Sequence, residues 1–109
     1  MIQAVILKDS EGRYRGFRVD GHAGYADRGE DIICAAVSAL TQNAVNSIEA
    51  FTEDAFEADV SEEDGSLHVR FENTVSDDTR LLLDSLVLGL TSIQDSYGGQ
   101  YIRIRFEEV

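Results

Sequence analysis

Apolar residues along this chain recur at two spacings, every second residue or every third and fourth, and the spacing switches four times between the first segment and the last. A period of two belongs to a strand with one covered face, and a period of about 3.6 to a helix with one buried stripe. Residues 2–7 (IQAVIL) read as a strand and DSEG at 9–12 as a turn. Residues 13–20 (RYRGFRVD) complete a hairpin, with Phe17 and Val19 on one face and Arg18 and Asp20 on the other. Ile33, Val37, Leu40, Ala44, Ile48 and Phe51 then follow at steps of four, three, four, four and three, the stripe of a long amphipathic helix beginning near Asp31. FEADV at 56–60 and LHVRFE at 67–72, on either side of an EEDGS turn, predict a second hairpin. Ser76 with Asp77 and Asp78 is a helix-start signal, and Leu83, Leu86, Leu90, Ile93 and Tyr97 carry a second helical stripe to a stop at Gly98 and Gly99. The last segment, QYIRIRF, alternates again.

The order ββαββαβ, with one apolar face per strand, predicts an α+β fold. Its economical form is a two-layer sandwich, a largely antiparallel sheet with both helices packed on one face. With 109 residues, 43% of them hydrophobic, residues 1–109 fit a single domain able to bury a core. Leu81, Leu82, Leu83, Leu86, Val87, Leu88 and Leu90 cover more of the second helix than one stripe can use, which points to a homodimer.

The net charge of -12 disfavours direct binding to nucleic acid or anionic lipid and favours encounter with basic partners, although it also serves solubility alone. A single cysteine excludes an intramolecular disulfide. With two histidines it supplies too few soft ligands for zinc, so neither a metal nor a cofactor is expected. The opening apolar run stops at Lys8 and Asp9, and no segment approaches a membrane span, so the expected setting is soluble and cytoplasmic, with no membrane partner.

The chemistry converges on GHAGYADRGEDIICAAVSAL, residues 21–40. Cys34 falls in the first turn of the first helix, where unpaired N–H groups and the macrodipole favour a thiolate. Among small apolar neighbours it also reads as a buried filler. His22, just past the second strand, is joined to the helix by AGYADRGED, a loop with glycines at 24 and 29 whose ends are commonly close. Such a pair would supply a nucleophile and a proton donor, while a lone histidine at a strand end is also satisfied by backbone. Asp31 reads either as the helix N-cap or as a group orienting His22, with Asp20 and Asp27 as weaker candidates for the latter. Ser38, one turn beyond Cys34, is placed to support sulfur or substrate, or to permit close packing. His68 alternates onto the polar sheet face and has no expected role.

On these residues the chain resembles the ribosomal-processing cysteine protease family, Prp. In that family a Gly-His pair, a short glycine-containing loop, Asp-(Ile/Val)-(Ile/Val)-Cys-Ala and a nearby serine recur. The resemblance implies a small α/β dimer in which His22 and Cys34 form a catalytic dyad. It implies as partner and substrate a large-subunit ribosomal protein whose N-terminal extension is removed after a hydrophobic, phenylalanine-containing segment. Asp31 and Ser38 match motif positions, and Gly21, Gly24, Tyr25 and Gly29 match the substrate loop. On this reading backbone N–H groups at the helix start hold the oxyanion, and Tyr25 with apolar residues near Ile32 receives aromatic side chains of the substrate. The competing expectation is a non-catalytic dimeric module that binds a ribosomal protein or an assembling ribosomal particle through the same cleft.

Overall fold

A computed structural model describes residues 1–27, 30–61 and 65–109. Its elements are β1 (Ile2–Lys8), β2 (Tyr14–Asp20), α1 (Ile32–Phe51), β3 (Phe56–Val60), β4 (Leu67–Phe71), α2 (Asp77–Tyr97) and β5 (Ile102–Glu108). The strands form one sheet in the order β3-β4-β2-β1-β5, antiparallel except where β5 lies parallel to β1. This is the expected α+β arrangement. No helix among the described residues is long and apolar enough to cross a membrane.

The alternation of each strand decides what it buries. Ile2, Ala4 and Ile6 of β1, Phe17 and Val19 of β2, Leu67, Val69 and Phe71 of β4, and Ile102 of β5 meet Ile33, Val37, Ala44 and Ile48 of α1 and Leu83, Leu86 and Leu90 of α2. Fully burying a side chain of this size stabilises by about 1.5–3 kcal/mol. A bulge at Leu7/Lys8 shifts the register so that Tyr14 turns into the core, where its hydroxyl donates to Asp84; burial first, then that bond, pushes its pKa far up. On the opposite face the Arg18–Glu107 ion pair, 3.0 Å, reaches across β1 above the buried Val5. His68 lies on that outer face, 2.9 Å from Asp20.

Four expectations need correction. The inner face of β3 is not covered: only Phe56 is partly buried, and Ala58 and Val60 are exposed. The α1 stripe runs through Thr41, whose hydroxyl donates to the Val37 carbonyl at 2.9 Å, while Leu40 lies at its margin. Phe51, at the end of that stripe, is 75% exposed, because the helix stops beyond the edge of the core. Tyr97, expected on the buried stripe of α2, is 40% exposed. The EEDGS turn lies mostly outside the described residues.

The helix layer is joined at one corner by Asp54. Its carboxylate accepts from Ser76 N at 2.9 Å, from Ser76 Oγ at 2.7 Å and from the Thr79 hydroxyl, which also reaches Thr52 beyond the end of α1. Partial burial raises the Asp54 pKa, but the bonds from Thr79 and Ser76 outweigh it and hold the carboxyl below its ordinary value. A depressed folded pKa means that this stabilisation is complete above the unfolded carboxylate pKa and is lost as pH falls through the folded one. Replacing Asp54→Ala is expected to remove about 1–3 kcal/mol in urea melts at pH 7, and the difference from wild type should shrink on acidification below about pH 4.

Candidate active site

Residues 21–31 carry the chain from the end of β2 to the start of α1. Gly21 has φ +91°, and a Cβ there would sit 2.3 Å from the Met1 carbonyl oxygen, so only glycine lets the loop leave the sheet so close to β1. Gly24, at φ +69°, makes the next turn in the left-handed region. Gly29 lies outside the described residues.

Asp31 closes the loop onto the helix. Its Oδ1 accepts from the N–H groups of Ile33 and Cys34, both at 3.0 Å, which makes it the N-cap of α1. Its Oδ2 accepts from Tyr25 N at 3.0 Å, tying the loop to the same carboxylate. Partial desolvation raises its pKa, but the N–H groups of Cys34, Tyr25 and Ala26, with the Cys34 side chain, outweigh it and hold the carboxyl below its usual range. Among the described residues no hydrogen bond joins Asp31 to His22. Asp20 is held by His68 on the outer sheet face, and Asp27 accepts at its carbonyl from Glu30 N, 2.9 Å.

Cys34 is half-buried in the first turn of α1, and its Sγ accepts a hydrogen bond from Ala23 N at 3.3 Å. Standard peptide geometry then keeps the His22 Cα within about 6 Å of the sulfur. The imidazole itself is exposed and turned toward the β3–β4 hairpin, its Cε1 4.0 Å from where a Cβ on Gly65 would lie. No hydrogen bond joins it to Sγ among the described residues. The loop therefore brings the backbone of His22 beside the thiol. Ser38 is exposed one turn beyond Cys34, on the side of α1 that faces β3.

Tyr25 is 43% exposed. Its ring packs edge-on against Tyr97, with centroids 5.8 Å apart, and against Tyr101, 5.3 Å apart, anchoring the loop to the end of α2 and the approach to β5. Ile32, half-exposed at the helix start, remains the apolar group beside Cys34. The helix-start N–H groups of Ile33 and Cys34 are already engaged by Asp31, so they are not free to hold an oxyanion; the donor beside the sulfur is Ala23 N–H. The contacts that Ala23, Gly65, Tyr97 and Tyr101 make with this segment carry no signal in the sequence pattern. Gly98 and Gly99, which end α2, lie between the two tyrosines.

A thiol in the first turn of a helix, with a backbone donor on the sulfur, is suited to nucleophilic acyl chemistry. Comparison with known proteins agrees with that chemistry. Residues 1–103 match the family model described as cysteine protease Prp. The ribosomal processing cysteine protease Prp of Staphylococcus aureus strain Mu50 is 30% identical over 107 residues, 98% of this chain and 100% of that protein. The protein of the same name from Bacillus subtilis strain 168 is 30% identical over 103 residues, 89% of this chain and 90% of its own length. The crystal structure of the essential ribosomal processing protease Prp from S. aureus, in complex with a covalently linked product peptide, superposes with a TM-score of 0.92 at 30% identity, covering 98% of this chain and 100% of that one. A match along nearly the whole length, in sequence and in fold, identifies the chain as a member of the cysteine protease Prp family.

Proposed function

We propose that this chain is a cytoplasmic cysteine endopeptidase with Cys34 as nucleophile and His22 as proton donor. Its substrate is a large-subunit ribosomal protein, whose N-terminal extension it removes during bacterial ribosome maturation by cutting after a hydrophobic, phenylalanine-containing segment. The observation that carries this reading is the hydrogen bond from Ala23 N–H to the Cys34 sulfur, which sets the residue next to His22 against the nucleophile at the positive end of a 20-residue helix. The covalently linked product peptide of the S. aureus relative supports the same chemistry.

The sulfur, as thiolate, attacks the scissile carbonyl and forms the S–C bond, and the displaced electron pair gathers on the carbonyl oxygen. Ala23 N–H passes from the sulfur to that oxygen. His22 swings from its position beside Gly65, protonates the departing amine as the C–N bond breaks, and then draws a proton from the water that hydrolyses the thioester. Ser38 borders the path of the substrate, and Asp31 acts as a positioning residue that holds the loop and the helix start in register. In the same reading the enzyme is a homodimer whose contact includes Leu81 and Leu88, each 69% exposed and two turns apart on α2.

Incubation with an extended ribosomal protein, followed by mass spectrometry of the intact products, should show one shortened species. Cys34→Ala should reduce its formation by at least about 1000-fold and His22→Ala by at least about 100-fold, both retaining the wild-type melting curve. An uncut substrate with the wild-type protein rejects the assignment. Asp31→Ala is expected to lose about 1–2 kcal/mol of stability and to slow iodoacetamide labelling of Cys34, because the loop no longer holds Ala23 against the sulfur. Since the folded pKa of Asp31 is depressed, that loss should fade as pH drops through the carboxylate range. Leu88→Asp should convert a sedimenting dimer into a monomer with unchanged secondary structure.

A further inference from the structure

Tyr97 and Tyr101 stand where the end of α2 is tied firmly to the sheet. The Tyr101 N–H donates to the Gly98 carbonyl at 3.2 Å, its own carbonyl accepts from Ile2 N at 2.8 Å, and its neighbour Ile102 is fully buried. Gln94, one turn before Tyr97, accepts the Ile104 N–H at its Oε1, 3.0 Å, and so joins the helix end to β5. Gly98, at φ +112°, turns the chain between the two tyrosines, and both of their rings reach one ring, that of Tyr25.

The loop that carries Tyr25 has few holds of its own. Among the described residues of 21–31 only Ala23 is buried, and Tyr25 N–H is bound to Asp31, itself at the loop's far end. Ala23 is two residues from Tyr25, with the left-handed Gly24 between them, so where the Tyr25 ring rests bears directly on where the Ala23 N–H points. A segment with so little buried surface opens easily unless something fixed grips it. An edge-on aromatic pair favours the gripped state by about two- to tenfold, and Tyr25 makes two such pairs with a part of the fold that is otherwise fixed.

We propose that Tyr97 and Tyr101 are positioning residues for the nucleophile: through the ring of Tyr25 they hold the loop so that the Ala23 N–H rests on the Cys34 sulfur in the free enzyme. The inference rests on the reading of Cys34 as nucleophile and extends its support to the far end of α2 and the approach to β5. The grip is ring on ring, so it needs the aromatic edges and not the hydroxyl groups.

Two measurements read the loop without any substrate: the rate of Cys34 labelling by iodoacetamide at pH 7, and hydrogen exchange of the Tyr25 N–H followed by NMR. Replacing both tyrosines, Tyr97→Ala with Tyr101→Ala, should slow labelling about fivefold and speed exchange about tenfold. The pair Tyr97→Phe with Tyr101→Phe should stay within about twofold of wild type on both. Tyr25→Ala, in an exposed loop, leaves the platform intact and keeps the test valid if the alanine pair does not fold; it should slow labelling as much as that pair does. Combining it with the alanine pair should add nothing, because all three changes remove the same contacts. Labelling unchanged or faster in Tyr25→Ala, slowing in the phenylalanine pair, or effects that add across the two sides overturns the assignment. A wild-type enzyme that leaves the extended ribosomal protein uncut, while the labelling pattern holds, rejects the protease reading and leaves the tyrosine grip in place.

Discussion

The carboxylate of Asp31 meets N–H groups from two segments of chain, and the architecture of the site depends on that meeting. Ile33 and Cys34 belong to a helix start, where the first N–H groups have no partner within the helix, and Tyr25 belongs to the loop that approaches it. A serine or threonine could cap the helix but would not readily hold the loop as well. With both oxygens committed, the distance between loop and helix is set, and the Ala23 N–H comes to rest on the Cys34 sulfur. The negative charge that would oppose a thiolate is thereby spread over several N–H dipoles, while the sulfur keeps a donor of its own.

Much of this was legible in the residues, for a physical reason: the elements announce themselves through period, cap and stop. Asp31 as cap, Ser76 before two acids and Gly98 at φ +112° are local signals, read without knowing what lies across the fold. Contacts between distant segments were not legible. The phenyl group of Phe51 continues the α1 stripe perfectly in sequence, yet the core ends before it does. Tyr25 looks like a free loop aromatic until two tyrosines more than 70 residues away are seen to hold its ring. That Asp31 engages the N–H groups of Ile33 and Cys34 together is likewise a matter of geometry, not of spacing.

The sheet shows how the two layers define the site by mismatch. Two helices cover the strands from β4 toward β5 and leave β3 bare on its inner side, so the first helix has one flank against the core and the other facing open space. Cys34 stands at the end of that open flank. A third helix, or a wider pair, would have closed it.

The parallel pairing of β5 with β1 has a consequence for how the molecule comes together. Ile2 lies beside Ile102, so the inner edge of an early strand is completed by the last one, whereas the two hairpins need only short loops. Contacts this far apart in sequence slow the search for the native state. Until that final strand arrives, β1 presents an unpaired apolar edge, the kind of template to which a neighbouring chain can add. Newly made chains of this fold therefore pass through an interval of self-association risk that ends only when the carboxyl-terminal strand has docked.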